Sequence, residues 1–545
     1  MTPESSNSTY VVSISSATGR PFYAGIPLAD LYPNHLFAID DIAKRCGYYK
    51  RFSSTKGLIG IAKHKNEVLI GFVEASEVVG WIPGGHLINK ITGTKFISIH
   101  SRHETTFEKF QINDNHIFCE SYDITRPFPS SHKSTDPDLG FIWNAEWIKP
   151  FQQIGLGFCC IPLVQGYANS SNFTKPFGFS LTYIIRRSSL NPGVRYMARG
   201  LNKNNDPGNE AECQIIIERD DNYYTHFWRR GSIPIRWKTE IPLVVGTPVH
   251  STRKNFSKGT KEYFQKLFDR YGQEQTISCI SLLSANEMEL FKAYETAIQD
   301  IPNVQVIQYD FNKRSAELKK RALYKELHDI LQPLIDNFGF AHIDQQNDHQ
   351  SKQNGFCRFN CADSLDRVNI VSFYYTLFLI RKWLETKPPQ TVVDFIAKSF
   401  YDSGNIISML YTNTMAIKTT FLQAYSNVIP PTQTDAAITV QRRYQNVAVD
   451  PQRNEEIVSF LNPNPLSNKI LFDSIHTFII NSHFPHELFD PFLLRSRIIN
   501  DKKVTLMLPT YLRISKIILF RCTASKLLVS VGQNINEQQT VAEFY

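Results

Sequence analysis

One stretch of the sequence combines a nucleophile with a cation at a spacing that could support phosphoryl transfer. Cys361 and Arg367 are separated by five residues in the polar segment Arg358 to Asn369. The upstream run Gly355 to Phe359 is typical of a strand, and the downstream run Val368 to Leu384, which contains no Gly or Pro, is typical of a helix. The loop is therefore predicted to join the end of a strand to the start of a helix.

A loop in this position could hold a phosphate dianion. Its backbone N–H groups would converge on the anion, and the positive end of the helix would strengthen the attraction. Arg367 would bind two phosphate oxygens with its planar fork. The same field would lower the pKa of Cys361, whose thiolate would attack phosphorus and form a cysteinyl-phosphate that water then hydrolyses. Asp363 or Asp366 could protonate the leaving oxygen.

The spacing alone also fits a structural role. Cys213 and Arg219 have the same separation, but the β-branched residues between them predict a strand whose N–H groups pair with a neighbouring strand. We interpret Cys213 as a structural cysteine. For Cys361 the corresponding alternative is a buried structural cysteine with Arg367 paired to one of the loop aspartates.

Length and composition describe a large folded chain. It has 545 residues, of which 42% are hydrophobic and 20% charged. Because single cores stop growing near about 250–300 residues, at least two lobes are expected. The 59 Lys and Arg against 51 Asp and Glu give a net charge of +8, which permits an anionic substrate or membrane surface. This excess of positive charge is too small for the densely basic surface of a dedicated nucleic-acid-binding protein.

The cysteines, the apolar stretches and the N-terminal residues of the sequence predict a cytoplasmic protein. The 9 cysteines include no Cys-x-x-Cys pair, so a disulfide framework is not expected. No apolar stretch reaches the roughly 18–20 residues that a membrane span needs, and the N-terminus does not resemble a secretory signal.

Hydrophobic patterns predict an α/β fold in which a β-rich N-terminal lobe packs on a larger α/β catalytic lobe that carries the Cys-x5-Arg loop. Short β-type runs dominate from Gly57 to Ile117, and Cys159 to Gly166 resembles a buried strand. From about Gly178 strands alternate with helical patterns, the longest of which is Ser315 to Phe338. The predicted divisions are a flexible arm at 1–29, an N-terminal lobe at 30–178, a catalytic lobe at 179–480 and a C-terminal extension at 481–545.

The loop string Arg-x-Asn-Cys-x-Asp-x-Leu-Asp-Arg-x-Asn resembles the signature of the Sac-domain phosphoinositide phosphatases. Further segments resemble the family in order from about residue 30 to 465, among them Phe141 to Asn144, Gln165-Gly166, Arg186 to Ser188, Asn209-Glu210, Arg230 to Pro234 and Asp402 to Asn405. Ala362, Ser364 and Gly208 to Glu210 look closest to the plant-type long Sac phosphatases.

The resemblance implies an enzyme that hydrolyses inositol-ring phosphates of membrane phosphatidylinositol phosphates. Cys361 would be the nucleophile, Arg367 the phosphate clamp, and Asp363 or Asp366 the general acid. Other loop residues would contact the substrate: Asn360, Ala362, Ser364, Leu365 and Asn369. The resemblance implies no metal and no other cofactor. Its expected partners are phosphoinositides at the cytosolic face of membranes, reached by peripheral association without a transmembrane segment and without nucleic acid.

One departure from the family pattern leaves a second function open. A hydroxyl residue usually follows the loop arginine and helps the thiolate to depart, whereas this chain has Val368. A lost hydrogen bond to a charged group is worth about 1.5–3 kcal/mol, or roughly 10–150-fold in rate. The alternative is therefore a catalytically impaired phosphoinositide-binding or scaffold protein that retains the Sac fold.

Two other polar features are interpreted as surface elements. The basic residues Arg186-Arg187, Arg195, Arg199 and Arg229-Arg230 are read as solvated edges and ion pairs, with contact to lipid headgroups as the alternative. The polar segment Asp344 to Asn354 is predicted to be an exposed connection that could gate the pocket mouth.

Overall fold

The computed structural model of the protein describes most of the chain between residues 56 and 464. The described ranges are 56–64, 67–98, 104–105, 112, 115–120, 122–129, 137–153, 160–240, 249–252, 255–344, 349–431 and 433–464, with short strands at Thr9–Val12, Phe478–Asn481, Arg497–Ile499, Lys503–Leu508, Leu512–Arg513, Ala524–Leu527, Asn534–Ile535 and Gln539–Phe544. Most of the predicted arm at 1–29 and of the extension at 481–545 lies outside them. So does the centre of the predicted gating segment, at 345–348.

A single large sheet organises the described residues. Its strands are β1 Gly57–His64, β2 Glu67–Ile82, β3 His86–Ser98, β4 Glu104–Thr105, β5 His116–Cys119, β6 Val164–Asn172, β7 Ser180–Arg187, β8 Ala211–Arg219, β9 Asn222–Ser232, β10 Thr276–Ser281, β11 Val304–Gln308, β12 Ala341–Ile343, β13 His349–Ser351 and β14 Gly355–Cys361. The hairpin Trp237–Glu240 and Val249–Thr252 lies outside this sheet.

The strand order places β14 inside the sheet. It runs β11-β10-β14-β9-β8-β7-β6-β5-β3-β2-β1, while β4 pairs with β3, and β12 pairs with β9 and β13. Strand β14 is parallel to both of its neighbours, β9 and β10, whereas β1 to β9 form an antiparallel series. The carboxyl end of a parallel strand is where open α/β sheets usually place ligands, so this topology favours a site beyond Cys361.

Helices cover both faces of the parallel part of the sheet. They are α1 Ala145–Gln153, α2 Thr174–Phe177, α3 Phe256–Tyr271, α4 Met288–Ile298, α5 Phe311–Glu317, α6 Lys320–Phe338, α7 Asp366–Leu384, α8 Gln390–Thr412, α9 Thr420–Gln423, α10 Asp435–Ala448 and α11 Asp450–Leu461. A 3₁₀ turn at Ala285–Glu287 precedes α4. No helix in the described ranges combines the length and the apolar character needed to cross a bilayer.

Alternation along β14 divides its side chains between two hydrophobic cores. Phe359 and Cys361 belong to the core that includes residues of α6, α7 and α8, whereas Phe356 belongs to the core of α3 and α4. All seven residues of β14 are buried. A strand that is covered on both faces needs little polar–apolar alternation, which explains why its sequence reads as a continuous buried run.

One glycine permits a close crossing of charged side chains beside β14. A Cβ atom at Gly231 would lie 2.0 Å from the Glu210 carboxylate and 2.6 Å from the Arg358 guanidinium. Arg358 is fully buried and donates to Glu210 Oε2 at 2.7 Å. Glycine at position 231 therefore leaves the space in which this ion pair forms.

The predicted mixed α/β fold is confirmed, with local differences in its elements. The pattern Ser315 to Phe338 forms two helices, because Leu318 between α5 and α6 is extended. The strand predicted at Cys159 to Gly166 begins only at Val164. The sheet continues from β6 to β7 across residue 178, where the sequence suggested a lobe boundary. The division into lobes stays a prediction.

Candidate active site

Cys361 is the last residue of β14, and residues 362–365 connect it to α7. The predicted placement of this loop between a strand and a helix is found. Across the parallel pairs, Ser232 of β9 lies opposite Cys361, and Ser281 of β10 lies opposite Asn360. The two neighbouring strands therefore end beside the loop and supply the segments that support it.

Buried donors fix the carbonyl groups of the loop. The guanidinium of Arg230 is fully buried and donates to the carbonyl oxygens of Ser364 at 2.7 Å and Leu365 at 3.0 Å. Asn209 Nδ2 donates to the carbonyl of Asp363 at 2.9 Å. These bonds hold the turn at Ser364, whose φ of 53° is in the left-handed region that a non-glycine residue adopts only when its surroundings impose it.

The opposite side of the loop retains hydrogen-bond donors. Helix α7 has no side-chain cap at its N-terminus. The backbone amides of Leu365, Asp366 and Arg367 donate to no acceptor among the described residues. Uncapped amides at the start of a 19-residue helix carry partial positive charge and can receive an anion.

The sulfur of Cys361 lies within this turn. Its Sγ accepts a hydrogen bond from the backbone N–H of Ser364 at 3.1 Å. Burial raises the pKa of the thiol, Arg367 lowers it, and the carboxylates of Asp363 and Glu287 raise it again, so that the net shift is upward. The sequence-based expectation of a lowered pKa is therefore wrong for this arrangement. Its main error was to leave out the burial of Cys361, and it also treated Arg367 as a cation without a neighbouring carboxylate.

Arg367 uses one edge of its guanidinium to bind Glu287. Nη1 donates to Glu287 Oε2 at 2.5 Å and to the Leu282 carbonyl at 2.7 Å, and Nη2 donates to Glu287 Oε1 at 3.0 Å. Nε donates to no acceptor in the described ranges, and Nη2 retains a second proton. These two groups form the side-on edge of the fork, which could bind two oxygens of one anion.

Glu287 was not predicted as a site residue. It is the third residue of a capping box in which Ser284 N donates to Glu287 Oε2 at 2.8 Å. Burial raises the pKa of Glu287, whereas its bonds to Arg367 and Ser284 lower it. The lowering effect is the larger of the two, so the net shift is downward. The Ser-x-x-Glu spacing could have revealed the cap in the sequence, but not the arginine 80 residues away that it binds.

Asp363 is held between two arginines. Arg195 donates to its Oδ2 from Nε at 2.9 Å and from Nη2 at 2.6 Å. Arg199 donates to Oδ1 from Nε at 2.7 Å and also from Nη2. Burial raises the pKa of Asp363, but the two guanidiniums outweigh it and hold the pKa well below the ordinary range. The carboxylate is therefore ionised and occupied on both oxygens.

Asp366 lies at the first position of α7 and is bound by a different arginine. Arg442 Nη1 donates to its Oδ2 at 2.7 Å and Nη2 to its Oδ1 at 3.1 Å, while the N–H of Ile417 donates to Oδ1 at 2.7 Å. Each of the three acidic groups around the loop thus has its own cation, and neither loop aspartate pairs with Arg367.

The five residues predicted to contact substrate are all buried, and their recorded bonds support the loop. They are Asn360, Ala362, Ser364, Leu365 and Asn369. Ser232 Oγ donates to the Ala362 carbonyl at 2.7 Å, and Asn369 accepts from Arg230 and donates to the Phe400 carbonyl. Asn360 Nδ2 is buried without a partner among the described residues.

The arginines interpreted as solvated edges are mostly internal. Arg186, Arg187 and Arg230 are at most 1% exposed, and Arg229 is 5% exposed. They satisfy their donors with groups on or next to the neighbouring strand β8: Arg186 donates to Gln214, and Arg229 donates to Glu210, the residue before that strand. The prediction of solvated edges is therefore wrong for these four arginines, whereas the predicted ion pairs are present at Arg186, Arg195, Arg199 and Arg229.

Two further sequence interpretations can be compared with the fold. Cys213 is buried in the middle of β8, and burial raises the pKa of its thiol to about 12, which supports the structural role assigned to it. Val368, which replaces the usual hydroxyl residue, is fully buried in the same hydrophobic core as Cys361.

No group of three or more His, Cys, Asp and Glu side chains in the described ranges could hold a metal ion.

Comparison with known proteins identifies relatives of this chain. Residues 56–316 match the model of the SacI homology domain. The chain is 27% identical over 453 residues to a polyphosphoinositide phosphatase of Schizosaccharomyces pombe, an alignment that covers 71% of this chain and 53% of that protein. It is 24% identical over 459 residues to phosphatidylinositol-3-phosphatase SAC1 of Saccharomyces cerevisiae, covering 76% of this chain and 73% of that protein.

A third relative shows how the lengths differ. The chain is 24% identical over 504 residues to polyphosphatidylinositol phosphatase INP53 of Saccharomyces cerevisiae, covering 79% of this chain and 45% of that protein. It thus spans about half the length of the S. pombe relative and of INP53. The likeness to the plant-type members stays a prediction. Together the domain match and these relatives show that the chain carries a region similar to the SacI homology domain and resembles the Sac-domain phosphoinositide phosphatases.

Proposed function

We propose that this protein is a phosphoinositide phosphatase that removes ring phosphates from phosphatidylinositol phosphates through a cysteinyl-phosphate on Cys361. One observation carries the proposal. The sulfur that ends β14 accepts the Ser364 amide in the turn before α7, a helix whose first amides are uncapped and whose second residue, Arg367, keeps the side-on edge of its guanidinium available among the described residues. The relatives support the substrate class, since their names describe phosphatases of phosphoinositides.

In the proposed reaction a phosphate dianion binds to the loop amides and to Nε and Nη2 of Arg367. The thiol loses its proton to solvent before attack, and the thiolate sulfur forms a bond to phosphorus while the bond from phosphorus to the inositol oxygen breaks. The leaving oxygen takes a proton from a carboxylic acid. Water then attacks phosphorus, the sulfur leaves as thiolate, and the same carboxylate accepts the proton of the water.

Between the two loop carboxylates we assign the acid role to Asp366. Asp363 receives four hydrogen bonds from two guanidiniums, and its depressed pKa opposes protonation. Asp366 receives two bonds from a single guanidinium and one from an amide. Releasing Asp366 from Arg442 would therefore break fewer charge-assisted bonds than releasing Asp363 from both of its partners.

Glu287 has a positioning role in this proposal. By binding the end-on edge of Arg367 it fixes the guanidinium and leaves the side-on edge available to an anion. A long arginine side chain otherwise loses conformational entropy when it is fixed on a ligand, and a carboxylate that fixes it beforehand reduces this cost.

We expect Cys361→Ser to abolish phosphate release from phosphoinositide vesicles and to leave vesicle binding intact. Serine retains the size of the side chain but lacks a readily ionised nucleophile. Release of inorganic phosphate should be measured across the seven phosphoinositides, with flotation of the same vesicles as the binding control. Equal phosphate release by the wild type and the serine variant would rule out the proposed mechanism.

Glu287→Gln should lower kcat/KM by about 10–150-fold, because it removes a charge-assisted bond worth roughly 1.5–3 kcal/mol from the guanidinium. Glutamine is compatible with a capping box, so the local fold should persist. The matched control is Glu289→Gln, at an exposed position of α4. If both variants have wild-type kcat/KM, Glu287 does not position Arg367 for the reaction.

Asp366→Asn should slow hydrolysis of the lipid by about 10²–10⁴-fold. Hydrolysis of an aryl phosphate should be slowed far less, because its weakly basic leaving group departs without a proton. Asp363→Asn, by contrast, should affect both substrates to a similar degree. The measurement is kcat/KM for both substrates with each variant. A selective loss on the lipid in Asp363→Asn alone would transfer the acid role to Asp363.

A second function, phosphoinositide binding with poor turnover, is favoured by two observations. Val368 places methyl groups where the family usually has a hydroxyl, and it lies in the apolar core that contains Cys361. The raised pKa of Cys361 also disfavours the thiolate. Under this hypothesis the loop would bind the lipid phosphate, and the phospho-enzyme would form or decay slowly.

Val368→Thr distinguishes the two functions. If the missing hydroxyl limits turnover, threonine should raise the rate of phospho-enzyme breakdown by roughly 10–150-fold. Its buried hydroxyl should also cost stability, because Val and Thr are not equivalent in a core. Rapid-quench measurement of the phospho-enzyme, with thermal unfolding as a control, tests this prediction. Fast breakdown in the wild type that threonine leaves unchanged would contradict it.

A further inference from the structure

Exposed apolar side chains are concentrated on the segments that hold the loop. Twelve large apolar side chains are exposed in the described residues, and six of them lie on three such segments. Those six are Met197, Met409, Met415, Val440, Tyr444 and Val447. The other six are distributed over the rest of the described residues, so the clustering is specific to this part of the surface.

Helix α10 has an unusual distribution of side chains. Its buried positions, Ile438 and Arg442, are four residues apart on one face. Val440, Tyr444 and Val447 follow the i, i+4, i+7 spacing on the opposite face and are 72%, 64% and 65% exposed. The outward face of a surface helix is normally polar, so a large apolar stripe there indicates a binding surface.

Hydrogen bonds join the three segments to one another and to the loop. Arg442 donates to the Met415 carbonyl at 3.0 Å, and Asn413 Nδ2 donates to Gln445 Oε1 at 2.9 Å. The N–H of Arg195 donates to the Tyr411 carbonyl at 3.0 Å. Each segment also binds a loop aspartate: residues 195–199 bind Asp363, whereas Arg442 and Ile417 bind Asp366.

The loop that these three segments hold has a net positive charge. Among the described residues, five arginines and three carboxylates form or directly contact residues 361–369, which leaves an excess of two positive charges. They are Arg195, Arg199, Arg230, Arg367 and Arg442, with Asp363, Asp366 and Glu287. Arg443 is exposed next to the apolar stripe. An apolar stripe next to an exposed arginine and a net-positive loop matches the interface of an anionic bilayer.

We propose that the outward face of α10, together with Met415 and Met197, is a surface that docks on an anionic lipid bilayer and inserts Val440, Tyr444 and Val447 among the headgroups. The choice of a bilayer as occupant rests on the proposed function, because the substrate would be a membrane lipid. Because Arg442 binds Asp366 from the inner face of α10, docking of the outer face would hold the loop about one helix diameter from the headgroups.

The first test uses vesicles of phosphatidylcholine with about one-fifth phosphatidylserine and a trace of phosphoinositide, at an anionic content similar to cytosolic leaflets. In the full chain carrying Cys361→Ser, the double change Val440→Glu and Tyr444→Glu should reduce the floated fraction at least about tenfold, because charges replace inserted apolar groups. Glutamate is a good helix former, so α10 should persist. Val78→Glu, at an exposed apolar position of β2, is the matched control.

Equal flotation of the double variant and Val78→Glu would overturn the docking surface. A wild-type dimer that the double variant dissociates without any loss of flotation would also overturn it, by assigning the face to a second copy of the chain. Light scattering measures the oligomeric state of each variant. Because the assay uses Cys361→Ser, it is independent of whether the protein has phosphatase activity.

A second measurement reports insertion directly. Tyr444→Trp should add fluorescence that shifts to shorter wavelength on the same vesicles and is quenched by brominated acyl chains, above the signal of the 6 native tryptophans. Val78→Trp should show neither change. With an active enzyme, the double glutamate variant should also lose hydrolysis of vesicle lipid relative to that of a soluble short-chain phosphoinositide. Loss of flotation with no shift in Tyr444→Trp would contradict insertion.

Discussion

The buried guanidinium of Arg230 is the constraint on which the loop depends. It satisfies the carbonyls of Ser364 and Leu365 and the side chain of Asn369 from inside the protein. A buried charge without such partners would cost several kcal/mol, so the loop and the arginine require each other. Because the C=O and N–H of one peptide unit point in opposite directions, the amides that follow these carbonyls at the start of α7 point away from Arg230. The donors that would bind phosphate are thus fixed by a cation that does not itself need to touch the substrate.

A second consequence is that charge around the loop is balanced within the protein. Arg367 binds Glu287, Asp363 binds two arginines, and Asp366 binds Arg442. These pairs orient the side chains, but they also weaken the field at Cys361, whose pKa burial raises. In the proposed reaction an incoming dianion would therefore have to use donors that the pairs leave available. The side-on edge of Arg367 meets this requirement, because binding there does not break the contact with Glu287.

The local parts of the site could be predicted from the sequence, whereas its supporting contacts could not. The strand before Cys361 and the helix after it follow from periodicity and from the lack of Gly and Pro. The partner of Arg367 lies 80 residues upstream, and Arg230 lies 134 residues from Ser364. Such pairs depend on strand register, which no local pattern specifies. For the same reason buried arginines were mistaken for surface charges: Arg186 and Arg229 both lie opposite Glu212, on the strand between them.

Helix α10 connects the chemistry of the loop to the surface of the molecule. Its inner face carries Arg442, which holds Asp366, the carboxylate to which we assign proton transfer, and its outer face carries Val440 and Tyr444. A rigid helix fixes the distance between these two faces, because its side chains project from one continuous hydrogen-bonded cylinder. A bilayer against the outer face would therefore lie at a set depth relative to Asp366.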